Sequence, residues 1–169
     1  MEDRYAFLMV RYETPNAVKM IQNGLRKEDL YEPENDNGWE YGIERDTHVT
    51  IAACLDNDID LNEIQKLLSP LGKYQATLDG LSLFENKDFD VLKCDVKCEE
   101  LVKTNKKVLS RFESHSEYKD YHPHLTLAYI KKGKGKGYIT DGLCKDVKVK
   151  PTGFILSWWE GDVQKNINF

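Results

Sequence analysis

His48-Val49-Thr50-Ile51 and His124-Leu125-Thr126-Leu127 are one tetrapeptide pattern written twice, H-x-T followed by an apolar residue. The chain has four histidines, and on average composition two of them share this context by chance on the order of once in a thousand chains. Residues i and i+2 of a strand share a face, so each motif sets an imidazole beside a threonine hydroxyl. Carrying the alignment on matches Ala52 with Ala128. The expected working face therefore reads imidazole, hydroxyl, small side chain, with room for a ligand. Val49, Ile51 and Ala53, with Leu125, Leu127 and Tyr129, form the opposite face and back each strand onto a core.

Outward from the motifs the pattern repeats. Tyr5–Arg11 reads as a strand, and Thr14-Pro15 as an N-cap and first helical residue, ahead of a helix with Ala17, Val18, Ile21 and Leu25 on one face that ends near Gly24. The acidic segment Glu28–Asp46 reads as a loop into the first motif strand, with a short strand at Trp39 and Tyr41. Beyond that strand, Asp60 and Glu63 match a capping box for a helix that stops near Pro70. Tyr74–Phe84 and Phe89–Val96 read as a hairpin and Glu99–Phe112 as a helix. The second motif strand, a lysine-glycine loop at Lys131–Gly137 and a last strand near Lys148–Trp159 complete the chain.

Composition narrows the function. With 169 residues, 40% hydrophobic and 31% charged, the sequence has the balance of one globular domain over residues 1–169. It lacks an apolar run of the ~20 residues that span a bilayer, so no membrane association and a cytoplasmic location are expected, the host's cytoplasm if a phage encodes it. Four cysteines without paired C-x-x-C spacing are expected to be reduced thiols. A net charge of −5 argues against a long nucleic acid as partner, since phosphate contacts demand a basic face. Lys131–Lys150 is locally basic, with seven lysines against Asp141 and Asp146, and reads as a solvated loop.

The paired motifs and the strand–helix–strand order resemble the 2H phosphoesterases, the LigT-like or 2′-5′ RNA ligase-like superfamily. The resemblance implies an α+β fold of two pseudo-symmetric βαβ-type lobes around a central cleft, each lobe supplying one H-x-T motif, and a phosphodiesterase without metal or other cofactor. Tyr121-His122-Pro123-His124-Leu125-Thr126-Leu127-Ala128-Tyr129 looks most like small phage and bacterial members, among them an anti-CBASS branch that cleaves cyclic oligonucleotide signals.

The side chains support that chemistry in their own right. Histidine both accepts and donates a proton near neutrality, and phosphodiester cleavage needs a base for the attacking hydroxyl and an acid for the departing oxygen. His48 and His124 are the expected acid and base, and Thr50 and Thr126 the expected donors to the non-bridging oxygens. Tyr12, Trp39 and Tyr121 are expected substrate-binding aromatics. The expected substrate is a small ribonucleotide, either a cyclic oligonucleotide or a 2′-5′-linked one. RNA end processing, through 2′,3′-cyclic phosphate hydrolysis or 2′-5′ ligation, is the enzymatic alternative, and a nucleotide- or RNA-binding module the non-enzymatic one. A rival zinc set can be drawn from His122, His124, Cys94 and Cys98, but it breaks the match between His124 and His48.

Overall fold

In the computed structural model, which describes residues 4–34, 40–140, 142–161 and 163–169, alternating burial marks the first strand, β1 (Ala6–Tyr12). Ala6, Leu8, Val10 and Tyr12 turn to the core, and Phe7, Met9 and Arg11 turn away. Seven further strands follow: β2 (His48–Leu55), β3 (Ala76–Glu85), β4 (Phe89–Lys97), β5 (His124–Lys131), β6 (Lys145–Val149), β7 (Pro151–Glu160) and β8 (Val163–Asn168). The helices α1 (Asn16–Asn23), α2 (Leu61–Leu68) and α3 (Glu99–Leu109) add Val18, Ile21, Ile64, Leu68, Leu101 and Val108 to the same core. Asp60 caps α2 as its sequence predicts, accepting from the Asn62 and Glu63 backbone N–H groups.

All eight strands join in one sheet, in the order β6-β3-β4-β5-β2-β1-β7-β8. It divides into two equivalent quartets, β5-β4-β3-β6 and β2-β1-β7-β8, each centred on a strand–helix–motif-strand unit. The α+β architecture with paired lobes is thus the observed one. The strands joined through α1 and α3 are antiparallel neighbours. A long return segment after each helix brings the chain back to the end where the helix began.

The quartets meet at a single residue pair, Val49 with Leu125. Beyond it the two motif strands diverge, and each free edge is taken by the approach to the other motif. Glu44 N–H donates to the Leu127 carbonyl (2.9 Å) and Tyr129 N–H to the Gly42 carbonyl (2.7 Å). On β2, His115 N–H donates to the Cys54 carbonyl (2.8 Å) and Asp56 N–H to the Glu113 carbonyl (3.0 Å).

Both motif strands bulge immediately after their threonine. Thr50 lies opposite Met9 but Ala52 opposite Leu8, so Ile51 is an extra residue; Thr126 lies opposite Lys93 but Ala128 opposite Leu92, so Leu127 is one too. A bulge rotates the residues that follow it. Ala52 and Ala128 therefore point into the core, at 4% and 0% exposure, which corrects the expectation that they lie on the working face. A buried amide from the opposite lobe meets each bulge: Asn105 of α3 donates to the Ile51 carbonyl (2.8 Å), and Gln22 of α1 to the Leu127 carbonyl (3.1 Å) and the Glu44 carbonyl (2.8 Å).

Two further expectations change. Thr14 does not cap α1, because its hydroxyl bonds that of Thr47 (2.5 Å). The expected last strand is two strands at separated places in the sheet, divided between Val149 and Pro151, and β8 follows them. Proline carries no N–H for a ladder, and here the chain leaves β3 to pair with β1.

Asn105→Ala leaves the Ile51 carbonyl buried without its amide, and is expected to cost about 1–3 kcal/mol of stability. Met20→Ala, at a residue 65% exposed, should stay within about 0.5 kcal/mol of wild type. Urea unfolding followed by circular dichroism measures both.

Candidate active site

With Val49 opposite Leu125, antiparallel register sets His48 across from Thr126 and Thr50 across from His124. Val49 and Leu125 point into the core, at 0% and 1% exposure, so these four side chains share the other face. They form a square about a local two-fold axis with the imidazoles on one diagonal, roughly 7–8 Å apart at the backbone, and the threonines on the other. The motifs therefore stand side by side in one sheet rather than face to face. The two bulges and the two buried amides obey the same axis.

Each imidazole is held in the same way. His48 Nδ1 lies 2.7 Å from the Asp46 carbonyl oxygen and His124 Nδ1 2.9 Å from that of His122. A carbonyl only accepts, so Nδ1 carries the proton and donates in both rings. That leaves Nε2 of each neutral ring with a lone pair available to a substrate, and an N–H there once the ring is protonated.

An ion pair flanks each histidine. Arg11, the β1 partner of His48, grips the Asp46 carboxylate through Nε and Nη2 at 3.0–3.2 Å and donates to the Asn168 side-chain oxygen. On the other side Lys93, the partner of Thr126, donates to Asp95 (2.7 Å) and to the Ser82 hydroxyl (2.6 Å); Asp95 is in turn the partner of His124. The His124 pKa is lowered, chiefly by burial and further by the Lys93 charge, against the opposing pull of the His122 carbonyl and Asp95. Neutral His124 is favoured near pH 7.

Comparison with known proteins identifies the family. The sequence profile of the 2′-5′ RNA ligase superfamily matches residues 9–148, a span that contains both motifs. The chain belongs to this superfamily. Among solved structures it is similar to ligand-free E. coli LigT, at 14% identity and a TM-score of 0.51, over 99% of this chain and 96% of that one. It also matches a phosphoesterase, at 16% identity and TM-score 0.46 over 98% and 95% of the two chains. A third match is E. coli LigT complexed with 3′-AMP, at 15% identity and TM-score 0.47 over 99% and 96%. No curated protein matches the chain. The LigT likeness supports the shared fold of the superfamily; the site must be judged on its own residues.

The substrate-binding aromatics expected from the sequence fare unevenly in this member of the superfamily. Tyr12 is 4% exposed and lies on the core face of β1, where burial raises its pKa. It has no ring face to offer a ligand, which corrects that expectation. Tyr121 also packs against the core; its hydroxyl donates to the Thr50 carbonyl (2.9 Å), so it braces a motif strand instead of presenting a platform. Trp39 lies outside the described residues. The rival zinc set does not converge: Cys94 is fully buried with its thiol toward the Cys144 carbonyl. Among the described residues, the grouping close enough to hold an ion is Asp56, Glu113 and His115, exposed at the far end of β2.

The lysine-glycine loop is pinned away from the motifs. The buried Asp90 carboxylate accepts from Gly133 N–H, Gly135 N–H and Lys132 Nζ, and Lys131 donates to the Glu28 carbonyl. Sequence reading missed Arg11, Asp46, Lys93 and Asp95. The signal was present on β4, where Lys93 and Asp95 alternate with Leu92, Cys94 and Val96; two opposite charges at strand spacing in an apolar run mark a polar face. Among the described residues, no helix is long and apolar enough to cross a membrane.

His124 is expected to titrate below 6.5, and Lys93→Met to move it upward. The substitution removes a nearby positive charge and leaves the Asp95 carboxylate unpaired, and both changes favour the imidazolium. Imidazole C–H shifts followed by NMR across pH 4–9 measure this, and an unchanged or lower value in the variant contradicts the assigned cause.

Proposed function

We propose that this single domain is a metal-independent phosphodiesterase in which His48 and His124 are general acid and base and Thr50 and Thr126 hold the non-bridging oxygens of a small ribonucleotide substrate. The observation that carries the reading is the pair of Nδ1-anchored imidazoles, set diagonally on one face of adjacent strands. A phosphoryl group over the centre of the square has an Nε2 on either side. One takes the proton of the attacking hydroxyl or water while the other protonates the departing oxygen. The threonine hydroxyls lie on the other diagonal, where negative charge builds during in-line displacement. A module that only binds nucleotide has no need of two proton carriers held in the same tautomer.

The substrate is a cyclic oligonucleotide or a 2′-5′-linked oligonucleotide, as in the anti-CBASS branch that the second motif resembles, and the enzyme acts in the cytoplasm where such signals accumulate. Its charge of −5 and the internal pairing of Lys131 and Lys132 favour a small substrate over a long polyanion. The flanking cations, Arg11 and Lys93, are each tied to a carboxylate, so they add donors without making the face strongly basic.

Incubation with cyclic dinucleotides, cyclic trinucleotides, 2′-5′ oligoadenylate and 2′,3′-cyclic nucleotides, resolved by chromatography with and without EDTA, tests the proposal. Turnover is expected on one of the first three classes and should be unaffected by EDTA. Turnover confined to 2′,3′-cyclic nucleotides points to RNA end processing instead. His48→Ala and His124→Ala should each lower kcat by at least about 10²-fold, and Thr50→Ala and Thr126→Ala by less. Near-wild-type turnover in either histidine variant, or activity that returns only with added Mn²⁺ or Zn²⁺, overturns the mechanism.

A further inference from the structure

The working face differs in chemistry between the lobes. Outward from His48 it carries Arg11 and Met9 of β1, then Ile155 and Ser157 of β7 and the amides of β8, with Arg11 bonded to Asn168 and Gln164 to Ser157. Outward from His124 it carries Lys93 and Val91 of β4, then Ser82 and Phe84 of β3. Further along, Tyr31, Tyr41, Phe89 and Tyr129 close on one another, with ring centroids 4.9–5.7 Å apart. Tyr129 is 9% exposed. That cluster is internally satisfied.

Tyr118 is different. At 69% it is the most exposed large apolar side chain among the described residues, and its ring meets Phe84 edge-on, at 5.7 Å and 72°. The segment that carries it is fastened down: Tyr118 N–H donates to the Ser116 hydroxyl, Ser116 N–H to that of Ser114, and the Ser114 hydroxyl to the Ala53 carbonyl on β2. An aromatic ring is thus held out over the sheet by an ordered loop.

Register gives its place. Ser82, Lys93 and Thr126 lie in one row across the sheet, and Phe84, Val91 and Tyr129 in the next on the same face. Two strand spacings and one side-chain repeat set the backbone of Phe84 roughly 12 Å from that of Thr126, a gap that a phosphate hydrogen-bonded to the threonine hydroxyl, its ribose and its base span together. Lys93 lies between them, its side chain 14% exposed and fixed by Ser82 and Asp95.

We propose that Tyr118, backed edge-on by Phe84, is the nucleobase subsite of this enzyme, and that Lys93 contacts the phosphate or ribose between that base and Thr126. The proposal rests on the reading of the His/Thr square as a phosphodiester site and adds direction to it. A base stacks on the β3–β4 side, and the opposite side offers amides and a guanidinium to the rest of the substrate. Stacking tolerates any base, because every base has a π-face, so Tyr118 provides affinity for a nucleoside without selecting which one.

The test is calorimetric titration of wild type, Tyr118→Ala and Tyr118→Phe with adenosine 3′-monophosphate, a product-like probe, and with ribose 5-phosphate, which has no base. Tyr118→Ala should bind the nucleotide about 5- to 150-fold more weakly, and Tyr118→Phe should keep wild-type affinity. Affinity for ribose 5-phosphate should be the same in all three, with unchanged melting temperatures because the ring is exposed. Equal nucleotide affinity in wild type and Tyr118→Ala overturns the subsite and leaves the histidine mechanism standing. An equal loss for both probes also overturns it, by assigning the ring to loop structure. A wild-type protein that binds neither probe overturns the subsite together with the reading beneath it.

Discussion

Everything in this fold follows from two motif strands that touch at one residue pair. Val49 and Leu125 join the half-sheets, and every backbone group beyond that point must find a partner elsewhere, since a buried group left unpaired costs about 1–3 kcal/mol. The molecule solves this by exchange. The segment before each motif strand lies along the other motif strand, and the helix of each lobe sends an amide, Asn105 or Gln22, to the bulge of the other. Neither lobe satisfies its own motif strand alone. Two halves that complete each other's hydrogen bonding are fixed in relative position more firmly than a single strand pair would fix them.

That fixed position is what the proposed chemistry uses. An acid and a base must stand on opposite sides of phosphorus, with at least an in-line O–P–O and two hydrogen bonds of roughly 2.8 Å between them. A continuous ladder would hold the diagonal at its narrowest, whereas divergence from the Val49–Leu125 pair opens it on both sides. The bulges belong to the same design. They end strand alternation just after Thr50 and Thr126, so each strand presents one imidazole and one hydroxyl before it turns its next residue, Ala52 or Ala128, into the core.

Much of this was legible in the sequence because period-two and 3.6-residue patterns are local. The doubled H-x-T motif, the capping residue Asp60, the hairpin between β3 and β4 and the helical faces were all read from neighbours in the chain. The bulges were not, because an extra residue is defined only against a partner strand; HVTIAACL and HLTLAYIK continue as plausible unbroken strands. Tyr12, expected among the substrate-binding aromatics, is turned inward by the alternation that begins at Ala6. The division at Val149–Pro151 depends on which strand each half pairs with, and that too is long-range information. Arg11 and Lys93 were missed for a related reason: each acquires meaning only from the histidine-bearing strand beside it.

The two-fold relation also explains why the histidines need not be equivalent in use. Nδ1 of each ring is anchored to the carbonyl two residues back, so the two are held alike, while the groups one strand outward differ. His48 faces a bidentate Arg11–Asp46 pair that is about 40% exposed on each side. His124 is kept neutral chiefly by its own burial, and further by the largely buried Lys93 beside it. In the proposed mechanism, the neutral His124 ring is the one free to serve as the base. The same Lys93 lies between Thr126 and Phe84 in the register of the sheet, on the side proposed to hold the nucleobase. If Tyr118 holds the nucleobase as proposed, orientation of the substrate belongs to the β3–β4 lobe, and binding in the reverse direction loses the stacking contact.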